Sequence, residues 1–191
     1  MVVYAGNKVR KDIPAPPTIP GITRVNSMKI LGVTLDDHLT VHSHIDNVCQ
    51  SASQALYAIK TLKSNGLDQP SIISVCHATV MSRLLYAAPS WWGFANSSDR
   101  QRLQAVINRA VKWGFFKISD SSVEKACYVR ERNLFLAILN NCAHVLHHLL
   151  PPIKTHHYDL RPRSHNRSLP VKSHPFIEKN FLTRMLYLAP Q

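Results

Sequence analysis

Hydrophobic and polar positions divide the chain into three zones with different periods. In the first zone, two short apolar runs, Val2-Val3-Tyr4 and residues 28–33, flank a proline-rich loop at residues 13–21. Runs of this length bounded by prolines predict a hairpin or a pair of edge strands, too small a sheet to be stable alone. Because no further strand accompanies the first run, we expect residues 1–40 to be the remnant of a larger sheet.

Between residues 41 and 152 the apolar period becomes 3.6, which predicts a helical bundle. We expect the first helix from about residue 43 to 63, with Ser43 as its cap and Gly66 just past its end. A second helix should begin at Pro70, in the favoured first position, and end near Tyr86. Apolar residues cover most of its circumference, so we expect it at the centre of the bundle.

Two further capping patterns predict the rest of this zone. Ser98 with Gln101 indicates a helix that ends near Trp113, and Ser121 with Glu124 indicates another. Apolar clusters at residues 134–139 and 145–150 suggest short helices, closed by a pair of prolines.

The last zone, residues 153–191, is basic and rich in proline. From Lys154 onward it contains seven Lys or Arg and two acidic residues. This composition predicts an extended basic arm, with a short helix possible at residues 178–187. The predicted fold is therefore mainly α: a helical bundle between a two-strand remnant and an arm.

The charge balance narrows the class of partner. The 191 residues include 23 Lys or Arg and 11 Asp or Glu, which gives a formal net charge of +12. Clustered cations favour a polyanion, with nucleic acid as the first candidate and an anionic membrane surface as the second. A basic protein with no polyanionic partner is the alternative.

Cysteine spacing and hydropathy point to an intracellular chain. The four cysteines are widely separated and form no CxxC pair, so reduced thiols are the expectation. The first residues lack the apolar run of a signal peptide, and no stretch approaches the ~18 apolar residues that a membrane span requires. We expect no membrane association.

Several segments of the chain resemble segments of one protein family, and they occur in the same order as in that family. They are MKILGVTLDDHLT (28–40), ASQALYA (52–58), LYAAPSWWGF (85–94), LNN (139–141), HVLHHLLPP (144–152) and YDLRPR (158–163). Together they resemble the region after the palm in reverse transcriptases of jockey-like non-LTR (LINE-type) retrotransposons. The resemblance covers nearly the whole chain.

The resemblance implies a palm remnant, a thumb-like bundle and a basic arm. The family holds two Mg²⁺ ions with palm aspartates in a Tyr/Phe-Ala-Asp-Asp turn, which this sequence lacks, so we expect the chain alone to be inactive. Residues 29–33 are similar to the primer-grip strand, which makes Lys29 and Gly32 candidates for nucleic-acid contact. An ordinary glycine bulge is the alternative for Gly32. Asp36 and Asp37 have no acidic partner on a neighbouring strand, so we assign them to a turn or cap.

Other basic residues are candidates for phosphate contact. They are Arg102, Arg109 and Lys112 on one helix face, and Arg161, Arg163 and Arg167 in the arm. Solvated surface is the alternative for both groups. Trp113, Phe115 and Phe116 could stack on bases, although core packing is the more common role of such rings. We assign Trp91 and Trp92 mainly to packing.

No residue set predicts chemistry within this chain. Cys142, His144, His147 and His148 are close in sequence, and His156 with His157 could join them, but their spacing matches no familiar zinc template. There is no nucleophile elbow and no recognisable catalytic cysteine. We therefore expect no cofactor, no metal and no small-molecule substrate.

The sequence thus predicts the template- and primer-binding part of an RNA-directed DNA polymerase without its catalytic aspartates. Its expected partners are RNA, DNA, and the palm and fingers of the same polyprotein. The resemblance implies a nuclear location. The alternative is a freestanding nucleic-acid-binding or protein-interaction module derived from such an element.

Overall fold

The structure is a computed structural model that describes residue 17 and residues 19–116, 122–154 and 165–188. Helices predominate, and two antiparallel strands precede them, which confirms the mainly α fold. The strands are β1 (Ser27–Ile30) and β2 (Val33–Asp36), with Ile30 opposite Val33. The predicted strand Val2-Val3-Tyr4 lies outside the described residues.

The prediction of one continuous strand over residues 28–33 is wrong, because Leu31 and Gly32 form a tight turn. Both residues have positive φ, 46° and 89°. A two-residue hairpin loop of type I′ requires positive φ at both central positions. Gly32 adopts this conformation without the steric cost that Leu31 incurs.

Eight α-helices are described. They are α1 (His42–Ser64), α2 (Gln69–Cys76), α3 (Ser82–Leu84), α4 (Ala88–Trp91), α5 (Ser97–Lys112), α6 (Val123–Asn140), α7 (Pro175–Lys179) and α8 (Phe181–Leu188). A π-helical turn (His77–Met81) joins α2 to α3, and 3-10 turns occur at Trp92–Phe94 and His147–Leu149. The apolar cluster at residues 134–139 is part of the long α6 rather than a separate short helix.

The ends of α1 and the start of α2 follow from local capping. Gly66 has φ of 91°, and the amides of Gly66 and Leu67 donate to the carbonyls of Lys63 and Leu62, which confirms the predicted helix end. Ser43 is not the N-cap, because α1 begins after Val41 with no side-chain cap. The carboxylate of Asp68 accepts from the Ser71 amide and begins α2.

The caps of α5 and α6 lie at other residues than predicted. Asn96 and Asp99 form the capping box of α5, so the Ser98–Gln101 prediction is wrong. Ser98 is an equally good cap residue by type, so the sequence alone does not single out Asn96. Ser122 caps α6 by accepting from the Lys125 amide, one residue after the predicted Ser121, which lies outside the described residues.

The main core lies between α1, α2, α4 and α5. Its largest fully buried side chains include Leu56, Ile72, Trp91 and Leu103. The burial of Ile72, Cys76, Val80 and Leu84 along α2 and α3 agrees with the predicted central helix.

A second apolar cluster fixes the end of the described chain onto α6. It comprises Phe135, Ile138, Leu150, Met185 and Leu186. The short helix expected at residues 178–187 is confirmed as α8, which packs against α6. The prediction of an extended arm is wrong at residues 175–177, where α7 begins. The helix was only a tentative prediction because its eight residues span little more than two turns, too short a segment from which to read a period.

The helical run Gln69–Phe94 meets the length and hydropathy criteria for a membrane span. Its 26 residues contain an 18-residue window of mean hydropathy 1.3. Small polar residues divide the run, so it contains no unbroken stretch of 18 apolar residues, but they lower its mean hydropathy little. A core helix satisfies the same criteria, so this is weak evidence for a membrane.

Candidate nucleic-acid interface

A groove lies between the β1–β2 hairpin, α1 and the end of α3. Its volume is about 550 Å³, and it brings together the two predicted residues Lys29 and Gly32. The residues that line it are Lys29, Gly32, Thr34, His44, Asn47, Val48, Ser51, Arg83 and Tyr86. We call this site the hairpin groove.

The hairpin is fixed to the helical bundle by Tyr86. The Tyr86 hydroxyl donates to the carbonyl of Leu31 at 3.1 Å, and the ring lies close to Gly32. A Cβ on Gly32 would lie 2.9 Å from Cε1 of Tyr86, closer than side chains normally pack. The glycine therefore permits both the turn and the close approach of the tyrosine. It lies in the hairpin turn, neither within a strand as the primer-grip resemblance implies nor in a bulge.

The charge of the hairpin groove is positive. Lys29 on β1 and Arg83 on α3 contribute cations, and no acidic residue is among those that the structure describes as lining the groove. Arg83 donates to the Ser51 carbonyl at 3.1 Å, which holds its guanidinium beside α1. Asn47 and Ser51 add neutral hydrogen-bonding groups, so the site suits an anion that accepts several hydrogen bonds.

His44 occupies the floor of the same groove. Its side chain packs edge-on against Trp91, with ring centroids 5.5 Å apart, and the residue is 4% exposed. Burial lowers the pKa of His44, and the nearby charge of Lys29 lowers that pKa further. The imidazole is therefore neutral at pH 7.

The acidic pair beside the hairpin forms a turn, as predicted. The carboxylate of Asp36 accepts from the amides of His38 and Thr40 and from the Thr40 hydroxyl. Burial raises the pKa of Asp36, but these hydrogen bonds outweigh it and lower the pKa overall. Both oxygens of this carboxylate thus serve the local turn.

The predicted cation face on α5 is directed largely toward α1. Arg102 pairs with Asp46 of α1 and lies 3.8 Å from the buried carboxylate of Asp99. Arg109 approaches the Ser53 hydroxyl at 3.4 Å. Lys112 is exposed at the end of the helix. Arg102 and Asp46 are both well exposed, so this is a surface ion pair, and it reduces the charge that Arg102 could offer to a phosphate.

The aromatic residues after α5 belong mainly to the core, as predicted. Phe115 and Phe116 are buried, as are Trp91 and Trp92. Trp113 is half-buried, and the ammonium of Lys60 lies 5.4 Å from its ring centroid. This ring is already covered on one face by a cation.

The predicted arginines of the arm divide into two groups. Arg161 and Arg163 lie outside the described residues. Arg167 donates to the Pro151 carbonyl at 3.0 Å, and its backbone pairs with Ile153. Arg167 thus fastens the chain to the segment that follows α6, and the prediction that it lies free on an extended arm is wrong.

The histidines after α6 make local hydrogen bonds. His147 Nδ1 lies 2.7 Å from the Ile138 carbonyl, and His144 Nδ1 accepts from the Leu146 amide. Within the described part of the chain, no three potential ligands are grouped as a metal site would require. His156 and His157 lie outside that part.

Arg83, Tyr86 and His44 are site residues that sequence reasoning missed. Arg83 is the one Lys or Arg between residues 69 and 94, and a charge within an otherwise apolar helix could have marked it. His44 and Tyr86 carried no such signal, because their role depends on contacts with a hairpin that is distant in sequence.

Comparison with protein-family models, curated proteins and solved structures found no match for this chain. The resemblance to non-LTR reverse transcriptases therefore stays a prediction.

Proposed function

We propose that this chain is the template- and primer-binding, thumb-like part of an RNA-directed DNA polymerase from a jockey-like non-LTR retrotransposon. The observation that carries the proposal is the hairpin groove, which is positively charged and includes Lys29 and Gly32. Those two residues belong to the segment that resembles the primer grip. The ordered series of similar segments along the chain supports the same assignment.

The groove binds the sugar–phosphate backbone of a nucleic acid rather than its bases. Lys29 and Arg83 are donors that attract phosphate oxygens, and contacts of that kind carry little sequence information. Sequence preference is therefore slight. Catalysis would require the Mg²⁺-binding aspartates of a palm, which are not in this sequence.

The partner in this account is the palm of the same polyprotein. All four residues of β1 are exposed, and Met28 and Ile30 place apolar side chains on its surface. Among the described strands, β1 pairs with β2 alone. A neighbouring strand would satisfy its other edge and cover those side chains.

A salt titration tests the proposal. Binding of fluorescently labelled primed RNA should weaken steeply with salt, because each neutralised phosphate releases about 0.7 to 0.9 counterions. The Lys29→Ala, Arg83→Ala double variant should lower the slope of log affinity against log salt by about one to two units.

The matched control removes the same charge elsewhere. Lys125→Ala with Lys179→Ala alters two exposed lysines outside the hairpin groove. If both double variants lower the slope equally, with helicity intact by circular dichroism, the groove is not the binding site. Such a result would favour the freestanding protein-interaction module.

A further inference from the structure

A second pocket lies between the start of α5, the first half of α6 and the helix α8. Its volume is about 570 Å³, within the range of small-molecule sites, and it shares no lining residue with the hairpin groove. Trp92, Tyr128 and Leu188 supply its apolar walls. The charged and polar residues that line it are Arg100, Ser122, Glu124, Lys125, Glu131 and Arg184. We call this site the Arg100 pocket.

Arg100 is a cation whose hydrogen-bond donors are unused. Its guanidinium lies over the ring of Trp92, 4.6 Å from the centroid, and this contact holds the group in place. Nε is buried and has no partner among the described residues, so no ligand reaches that atom. Nη1 and Nη2 also make no hydrogen bond to a described residue, but they are not buried, and 39% of the side chain is exposed. The outer edge of the guanidinium is therefore open to the pocket.

Arg184, in contrast, is fully engaged by the protein. Its two Nη atoms donate to the carboxylate of Glu131, and its Nε donates to the carbonyl of Lys179 at 3.2 Å. This buried pair forms one wall of the pocket and adds no net charge. Lys125 is exposed near the start of α6 and contributes a second cation.

Glu124 indicates which anion the guanidinium accepts. Its Oε1 lies 3.9 Å from Nη1 of Arg100, beyond hydrogen-bond distance, and 76% of its side chain is exposed. Such an exposed pair is weak, so another carboxylate can displace it. A planar carboxylate accepts two parallel hydrogen bonds from one edge of a guanidinium. A phosphate dianion is disfavoured, because Glu124 and Glu131 line the same pocket.

We propose that the Arg100 pocket binds a monocarboxylate with an apolar body, whose carboxylate pairs with Nη1 and Nη2 of Arg100 and whose body packs against Tyr128 and Leu188. Lys125 adds attraction for the same charge. The carboxylate belongs to a free small acid or to the carboxyl end of a peptide. This site does not depend on the proposed function. It was not predicted from the sequence, because its residues come from helices that are distant along the chain.

The direct test observes Arg100 in the wild-type chain. The protein is labelled with ¹⁵N-arginine, and the Nε–H resonance of Arg100 is assigned by its loss in Arg100→Lys. Titration with 3-phenylpropionate should shift this resonance, because the Nη atoms of the same guanidinium then donate to the carboxylate. 3-Phenylpropanol, which has the same body without the charge, should leave the resonance in place. A resonance that 3-phenylpropionate does not move overturns the proposal.

Substitutions test the same contact in both directions. Arg100→Lys keeps the charge but removes the planar pair of donors, and affinity for 3-phenylpropionate should fall about tenfold. Glu124→Gln removes the competing carboxylate and should raise affinity by up to about fivefold, a gain that a folding defect cannot produce. Arg130→Gln changes an exposed arginine of α6 outside the pocket and should leave affinity unchanged. Equal losses in Arg100→Lys and Arg130→Gln would contradict the site.

The source of the carboxylate is distinguished with peptides. A tripeptide that ends in phenylalanine is compared with 3-phenylpropionate and with the same tripeptide amidated at its carboxyl end. Tighter binding of the free tripeptide assigns the pocket to peptide ends, and tighter binding of the small acid assigns it to free acids. If the amidated tripeptide or inorganic phosphate shifts Arg100 as much as the free carboxylates do, the pocket does not recognise a carboxylate and the proposal fails.

Discussion

Glu131 on α6 and Arg184 on α8 form a buried ion pair between residues that lie 53 positions apart. The Glu131 side chain is 1% exposed, and Arg184 contacts both of its carboxylate oxygens. Burial raises the pKa of Glu131, and the Arg184 guanidinium opposes that rise by favouring the ionised form. This pair fixes the last described helix to the bundle.

Removal of one partner should destabilise the protein strongly. Arg184→Ala leaves the Glu131 carboxylate buried without its cation, and such losses cost about 3–5 kcal/mol. Urea unfolding followed by circular dichroism measures the change. Arg184→Met with Glu131→Met should recover much of the loss, because both buried charges are then absent. A single variant as stable as wild type would contradict the buried pair.

The turn glycine should be sensitive for two separate reasons. Gly32→Ala places a Cβ at a φ of 89° and 2.9 Å from the ring of Tyr86, so backbone strain and a side-chain clash add together. We expect a cost of about 1–2 kcal/mol from the backbone alone. The variant should also weaken RNA binding, because the displaced Tyr86 lines the groove.

Gly66→Ala is the matched control for this effect. Gly66 has φ of 91°, but an added Cβ there meets no atom within 4 Å. Its variant should lose stability in urea unfolding while RNA affinity stays unchanged. Equal losses of affinity in the two variants would show that the Gly32–Tyr86 contact does not shape the site.

The stability of the protein should depend on pH through His44. Because burial lowers its native pKa below the ordinary value of 6.5, the unfolded chain takes up a proton that the native chain does not. The free energy of unfolding contributed by this residue is retained above pH 6.5 and falls as the pH drops below it.

His44→Phe removes this titration. Urea unfolding is measured at pH 8 and pH 5 for wild type and variant. The difference between the two proteins gives the pH-dependent change in the free energy of unfolding that is due to His44 rather than to the other histidines. The variant should lose less stability on acidification than wild type. An identical loss in both proteins would contradict a lowered pKa.

Much of the helical architecture was predictable because helix boundaries are local. Gly66 after α1 and Asp68 before α2 act through hydrogen bonds to residues a few positions away, and sequence displays those relationships directly. The hairpin turn was not visible, because Leu31 extends an apolar run and gives no sign of its positive φ. Docking of α8 depends on the pairing of Arg184 with Glu131, which no local pattern reveals.

Only the part of the candidate site that lies within one short segment could be predicted from the sequence. Lys29 and Gly32 lie in the segment that resembles the primer grip, which made them candidates for nucleic-acid contact. The structure brings both into the groove. The sequence does not reveal that Arg102 pairs with Asp46 on α1. Pairing between distant helices decides which cations stay available.

Photochemical cross-linking tests the central claim most directly. Single-stranded RNA that contains 4-thiouridine is irradiated with the wild-type protein, and the attached peptides are identified by mass spectrometry. We predict cross-links on the hairpin around residues 29–34 and at Tyr86, whose side chain is exposed beside the groove. Cross-links confined to α5 or spread over the surface, with none at the hairpin or Tyr86, would contradict it.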